Sequence, residues 1–227
     1  MTEIPGNFVW STLTGFHQEF AEMRGRAARY RPEYGSFAAV CDWDDGRAWH
    51  DLAEMVGHGS TVWLGGTGVH APREWDVVRR VSTNRMVATE VKPPESAEVV
   101  QLGPADISDV LDLAARAQPG PFAEHTVQIG TYLGVRRDGL LVAMAGERFR
   151  TPGWTEISTV CTDPAYRRRG LAGLLVSSLT SRIQDRGDRA FLHVREDNPA
   201  AAGLYERLGF TRTVPVQFID VRPPAQR

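Results

Sequence analysis

The sequence predicts a mixed α/β fold, an antiparallel meander followed by helix-linked crossovers. Three observations carry that reading. Asp138-Gly139 lies between two apolar runs, Tyr132–Arg136 and Leu140–Phe149, as a tight hairpin turn does. Pro152-Gly153 turns the chain again into a third run, Trp154–Thr162. Helical and strand patterns then alternate: a helix at Gly170–Asp185, a strand at Ala190–Val194, a helix at Pro199–Leu208 and a strand at Thr213–Ile219.

The earlier part of the chain is less regular. Phe16, Phe20, Met23, Ala27 and Tyr30 recur at helical spacing and predict a helix whose stripe faces the core. Ser36–Cys41 and Thr61–Leu64 read as short strands, with a helix at Arg47–Val56 between them that Gly57 stops. Trp75–Thr89 fits a helix or a strand. The polar, proline-rich Lys92-Pro93-Pro94-Glu95-Ser96 is the expected linker, dividing the chain into an N-terminal α/β region, residues 1–92, and a C-terminal region, 97–227. In the second region Val99–Leu102 reads as a strand. Gly103-Pro104 then opens a helix with Asp106 near its positive end and Ile107, Val110, Leu111 and Ala114 on its buried face. Pro119-Gly120-Pro121 breaks the chain before the hairpin.

Composition narrows the class of function. The chain's 227 residues, 42% hydrophobic and 24% charged, can bury a sizeable core in one large or two small domains. A net charge of −2 leaves no global footprint for nucleic acid or an anionic membrane. Cys41 and Cys161 are too far apart to form a disulfide framework or a zinc motif, so a reducing, cytoplasmic setting is expected. Met1–Trp10 lacks the pattern of a signal peptide, and the purest apolar run, Leu140–Ala145, is far too short to cross a bilayer.

The strongest local signal is Asp163-Pro164-Ala165-Tyr166-Arg167-Arg168-Arg169-Gly170-Leu171-Ala172-Gly173. Three arginines precede a helix whose apolar face is Leu171, Leu174, Leu175 and Leu179. Cations at a helix N-terminus oppose the macrodipole, at about 0.3–1 kcal/mol each when exposed. The arrangement becomes favourable once an anion sits there, because free N–H groups, dipole and guanidinium groups then converge on it. Gly170, Ala172 and Gly173 allow close approach to the main chain. Without a ligand, the same stretch reads as a solvated basic helix start. It lacks the lysine of a Walker loop, and the Gly-x-G-x-x-Gly of a dinucleotide fold is absent.

These residues resemble the GNAT superfamily of acyl-CoA-dependent N-acyltransferases. Arg167 to Ala172 match its pyrophosphate motif, Arg/Gln-x-x-Gly-x-Gly/Ala. Asn198, Tyr205 seven positions on, and Glu206-Arg207-Leu208-Gly209-Phe210 match its second signature. The match covers roughly Val99–Ile219; the first ninety residues do not show it and are open to being a degenerate second copy of the fold. The resemblance implies a GNAT-like domain in the C-terminal half and acetyl-CoA as co-substrate. It also implies an amine acceptor; no metal is expected, because His50 and His58 lack a third ligand at useful spacing.

It further implies a mechanism. The strand before the pyrophosphate loop separates from its neighbour, and the thioester lies in the gap. A main-chain N–H, placed at Val160 with Cys161 and Thr162 beside it, polarises the acyl carbonyl. Arg167, Arg168, Arg169, Gly170, Leu171, Ala172 and Gly173 hold the pyrophosphate. Asn198 contacts the pantetheine or pyrophosphate region besides capping its helix, and Tyr205 protonates the departing thiolate. Glu156 is the expected base. Strand alternation puts it on one face with Ser158 and Val160, and apolar neighbours would raise its pKa. A Glu at a strand edge, exposed or paired with an Arg such as Arg148, is the plainer reading of the same residue. Phe122, Glu124 and His125, after the proline-rich break, are expected at the acceptor pocket.

Cys161 has no histidine in a recognised arrangement and is read as a buried thiol rather than a nucleophile. His193 reads as a satisfied sheet residue, and His50, Glu54 and His58 do not make a metal set. The tryptophan-rich first half either covers the active site or forms a homodimer face. A non-catalytic acyl-CoA sensor or interaction module is the alternative function, which retention of both Glu156 and Tyr205 disfavours.

Overall fold

The computed structural model describes residues 3–89, 91 and 98–225. In chain order its elements are α1 (Phe8–Leu13), β1 (Ala21–Arg24), β2 (Ala27–Tyr30), β3 (Ala38–Val40) and α2 (Gly46–Val56), then β4 (Val62–Gly66), β5 (Asp76–Ala88), β6 (Val99–Leu102) and α3 (Ile107–Ala117). There follow β7 (Tyr132–Arg137), β8 (Leu140–Thr151), β9 (Trp154–Thr162), α4 (Leu171–Asp185), β10 (Arg189–Arg195), α5 (Pro199–Arg207) and β11 (Phe210–Arg222).

Eight strands form one mixed sheet in the order β4-β11-β5-β10-β9-β8-β7-β6, and β1-β2-β3 form a small second sheet. Every neighbouring pair in the large sheet is antiparallel except β9–β10, which α4 joins by a crossover. The α4 face of the sheet carries a core of Leu171, Leu175, Leu179 and Ile183 against Met86, Val142, Ile157 and Leu192. The opposite face packs Phe8 and Leu13 of α1 against Phe149, Phe218 and Tyr30. Each face is therefore covered, which suits the apolar runs at the sheet centre.

The meander, the crossover helix and the last helix follow the sequence reading. Several other expectations are corrected. The stripe from Phe16 to Tyr30 is not a helix. It spans a short 3-10 turn and the β1–β2 hairpin, and Phe16 and Met23 are 46% and 47% exposed. Gly25 turns that hairpin at φ +52, where an added Cβ would come within 2.3 Å of the Asp51 carboxylate. Cross-strand packing and the Arg29–Glu22 ion pair of 2.8 Å thus override the helical period. The undecided Trp75–Thr89 stretch is the long strand β5. On α3 the fully buried residues are Val110 and Leu113, while Leu111 is 37% exposed.

The division at residues 1–92 and 97–227 is not followed by the sheet. β5, from the first region, lies between β10 and β11 of the second, and β4 extends the same sheet beyond β11. The proposed linker Lys92–Ser96 lies outside the described residues. Among the described residues no helix is long and apolar enough to cross a membrane.

Candidate active site

β9 and β10 pair only where Arg189, Ala190 and Phe191 face Trp154, Thr155 and Glu156. Past that point the ladder stops and a cavity of about 1080 Å3 opens, lined by residues 157–162 of β9 and 192–195 of β10. A bulge shapes the β9 wall. The flanking pairs are Gly146↔Ser158 and Met144↔Cys161, so Thr159 and Val160 together oppose Ala145. Thr159 takes a left-handed φ of +55, unusual for a β-branched residue. The bulge also breaks the expected alternation: Val160 packs toward the α4 core, on the face opposite Glu156.

Glu156 is fully buried. Arg148 Nε and Nη2 donate to its two carboxylate oxygens at 2.7 and 2.8 Å, and Oε1 lies 2.6 Å from His193 Nδ1. A bulge in β8 makes this possible, because the pairs Glu147↔Ile157 and Arg150↔Thr155 leave both Arg148 and Phe149 opposite Glu156. Burial alone would raise the carboxyl pKa, as the sequence suggested. The Arg148 charge and the hydrogen bonds from Arg148 and His193 outweigh it and hold the group down to about 2. Glu156 is thus an ionised, saturated carboxylate. Burial lowers the His193 pKa despite Glu156, so the imidazole is neutral and donates Nδ1–H to the carboxylate. Its Nε2 faces Arg85 Nε at 3.4 Å.

At the far end of β9, the Asp163 carboxylate accepts from Ala165 N–H at 2.9 Å and from Arg116 at 2.8 Å, anchoring the turn. Arg168 and Gly170 then take left-handed φ values of +63 and +79. Gly170 is the N-cap of α4 and no side chain caps the helix, so its first N–H groups open toward the cavity rim. A Cβ on Gly170 would meet nothing within 4 Å, leaving room beside the main chain. Arg167, Arg168, Gly170, Leu171, Ala172 and Gly173 line the cavity. Arg169 does not; it stacks on Tyr166 at 5.0 Å. This uncapped, arginine-flanked helix start fits a pyrophosphate.

α5 supplies the third wall. Asn198 caps it, accepting from Ala201 N–H at 3.1 Å, and lines the cavity together with Tyr205. Tyr205 is buried, which pushes its hydroxyl up to about 12. Burial likewise pushes the Cys161 thiol up to about 12, and its sulfur packs beside Tyr132 and Met144.

Phe122, Glu124 and His125 do not line the cavity. Phe122 packs edge-on against Tyr132, Glu124 is exposed, and His125 bonds Gln128 at 3.1 Å. The preceding Gln118–Pro121 segment takes their place. The residues missed by sequence reasoning are Phe37, Trp63, Arg79, Val81 and Phe218, which close the other end of the same cavity. No local motif marks them; Trp63, Arg79, Val81 and Phe218 arrive through the pairing of β4 and β5 with β11, and Phe37 through its bridge to Trp63.

The FR47-like protein family model matches residues 132–219. The N-alpha-acetyltransferase RimI of Mycobacterium tuberculosis is 42% identical over 84 residues, 36% of this chain and 52% of that protein. A mycothiol acetyltransferase of Mycobacteroides abscessus is 33% identical over 135 residues, 48% of this chain and 43% of that protein. The chain thus spans about half the length or less of these curated relatives. Among solved structures, a GNAT-family protein of Novosphingobium aromaticivorans superposes with a TM-score of 0.88 at 34% identity, covering 97% of this chain and 98% of that one. A GCN5-related N-acetyltransferase from Kribbella flavida shares the fold at 17% identity, with a TM-score of 0.64 over 100% of this chain and 98% of that one. With near-complete coverage at 34% identity, the chain belongs to the GNAT family.

Proposed function

We propose that the protein transfers an acetyl or short acyl group from coenzyme A to a primary amine of a small molecule or peptide by direct attack. One observation carries this reading: the gap between β9 and β10, the uncapped start of α4 and the Tyr205 side of α5 all line a single cavity. A pyrophosphate at Arg167–Ala172 would direct the pantetheine arm along α5, past Asn198, toward the bulge at Thr159 and Val160. Cys41 and Cys161, both free thiols, accord with cytoplasmic work.

The step balances simply. The ammonium first gives one proton to solvent. The amine lone pair then attacks the thioester carbon, the N–C bond forms and the C–S bond breaks. A second N–H proton reaches sulfur by way of water, so coenzyme A leaves as a thiol. The Val160 N–H, in the unpaired bulge on the cavity wall, stabilises the oxyanion; such a donor can contribute about 3 kcal/mol. Tyr205 stays protonated at its raised pKa, above the roughly 8.5 of an ordinary thiol. It therefore acts chiefly by donating a hydrogen bond to sulfur as negative charge builds there.

Glu156 enters this mechanism as a positioning residue. A carboxylate held near 2 is a poor base toward an ammonium whose ordinary pKa is about 10. The amine proton leaves through water, while Glu156 fixes Arg148 and His193 in the cavity wall. The test is thiol release from acetyl-CoA against a panel of amines, amino acids and peptides, run beside calorimetric acetyl-CoA binding. Binding without thiol release from any acceptor would instead favour an acyl-CoA sensor.

A further inference from the structure

We infer that the acceptor is an amine carrying a carboxylate next to its nitrogen and an apolar side chain, the chemistry of a free amino acid. The inference rests on the acyltransferase reading above and names the substrate class of that same cavity.

The first observation is the free edge of Arg148. Phe37, Phe149 and Phe218 lie 4.6 to 5.3 Å from its guanidinium carbon and cover it. Glu156 occupies the Nε–Nη2 edge. Nη1 is left, and Arg148 lines the cavity. It also lines a small adjoining pocket of about 30 Å3, together with Ser158 and Thr159 of the bulge. A rigid, in-plane donor therefore stands beside the point where the acyl group and the amine are to meet, which is the geometry that suits a carboxylate oxygen.

The second observation is charge. Arg148, Glu156, His193 and Arg85 form one contiguous chain of polar contacts. Arg85 is only 5% exposed, and its Nη2 is buried with no hydrogen-bond partner. It leans on Phe8 and Phe191, and no carboxylate among the described residues pairs with it. With His193 neutral, the chain holds two cations and one anion. An uncompensated buried charge is costly, and an acceptor carboxylate at Arg148 offsets it where a second ammonium would add to it.

The third observation concerns what the cavity lacks. Among the described residues that line it, Asp197 is the one carboxylate, and Arg195 already binds both its oxygens at 2.6 and 2.8 Å. A polyamine or other polycation finds no counter-charge here. The surface beyond Arg148 is mainly apolar, made by Phe37, Trp63, Val81 and Phe218 with Arg79 lying over the Trp63 ring, and suits an aliphatic or aromatic side chain.

Matched amines test this. Thiol release from acetyl-CoA is measured with phenylalanine, phenylalaninamide, phenethylamine and phenylalanyl-alanine, and with the corresponding leucine set. The free amino acids are expected to have kcat/KM at least about tenfold above their amides and amines, the loss typical of one charged hydrogen bond. Equal or better turnover of an amide, a simple amine, a dipeptide or spermidine overturns the inference and leaves the acyltransferase reading standing. Thiol release with none of them, despite acetyl-CoA binding, overturns the inference, and the acyltransferase reading falls with it only if the broad acceptor panel is silent as well. In the double variant Arg148→Gln/Glu156→Gln, provided it still binds acetyl-CoA, the acid-over-amide preference is expected to collapse toward unity. A preference that survives there removes Arg148 as the anchor and sinks the inference.

Discussion

Arg148 and Glu156 form a two-pronged ion pair across adjacent bulged strands, with hydrogen bonds of 2.7 and 2.8 Å. Arg148 belongs to the cavity wall, while the Glu156 carboxylate lies fully buried behind it and accepts from Arg148 and His193. The pair is a structural commitment as much as a catalytic one. Removing either member leaves the other charged, buried and alone.

Glu156→Ala should therefore lose about 3–5 kcal/mol of unfolding free energy, and Glu156→Gln less, because an amide keeps one acceptor for Arg148. Denaturant titration measures both. The pH profile separates positioning from base catalysis. With its carboxyl held near 2, Glu156 cannot supply an acid limb near neutrality. The limb in kcat/KM should stay at the same pH in Glu156→Gln while kcat falls. A limb that vanishes in the variant restores Glu156 as the base.

Tyr205→Phe keeps the ring against Phe210, 6.2 Å away, and removes only the hydroxyl. Thiol release should slow by roughly 10²-fold, the scale of one hydrogen bond to a developing charge. Calorimetric binding of acetyl-CoA should be little changed. A variant that turns over normally would assign the tyrosine to packing alone.

Gly170 separates shape from charge at the start of α4. Its φ is +79 and an added Cβ meets nothing, so Gly170→Ala carries backbone strain of about 1 kcal/mol without a clash. That variant should bind acetyl-CoA more weakly but measurably. Gly170→Glu puts an anion where the pyrophosphate is to sit and should abolish binding. Normal binding by Gly170→Glu would remove the whole loop from the site.

What the sequence made readable follows chain locality. Arg167–Gly173 and Asn198–Tyr205 are each contiguous, and helix-start chemistry or a cap fixes each one locally. The acceptor end is different. Trp63 and Arg79 reach it because β4 and β5 insert into a sheet formed mostly by later residues, Phe37 follows by its bridge to Trp63, and no short-range pattern encodes that pairing. Val160 escapes the alternation read from β9 because a left-handed threonine, not a glycine, marks the bulge. For Glu156 the plainer reading, a pair with Arg148, is the one the structure shows; the raised pKa expected from apolar neighbours fails because the β8 bulge sets Arg148 opposite the carboxylate.

A last prediction concerns acid, and it falls on a residue outside the cavity wall. His17 is 5% exposed, and its Nδ1 lies 2.7 Å from Tyr30 Oη. Burial, with a smaller push from the Arg150 charge, lowers its pKa from 6.5 to about 4. Between those values the unfolded chain binds a proton that the folded one refuses, so stability falls as pH drops from 6.5 toward 4. A difference of that size corresponds to about 3 kcal/mol when fully developed. Glu156 acts lower on the scale: its depressed value contributes stability above 4.5 that is lost as pH falls toward 2. The two windows barely overlap, so thermal unfolding across pH resolves them. His17→Gln should reduce the decline between 6.5 and 4, leaving the share that belongs to buried His193, and leave the one below 4.5 in place. A decline of wild-type size in His17→Gln would move the upper transition to another group.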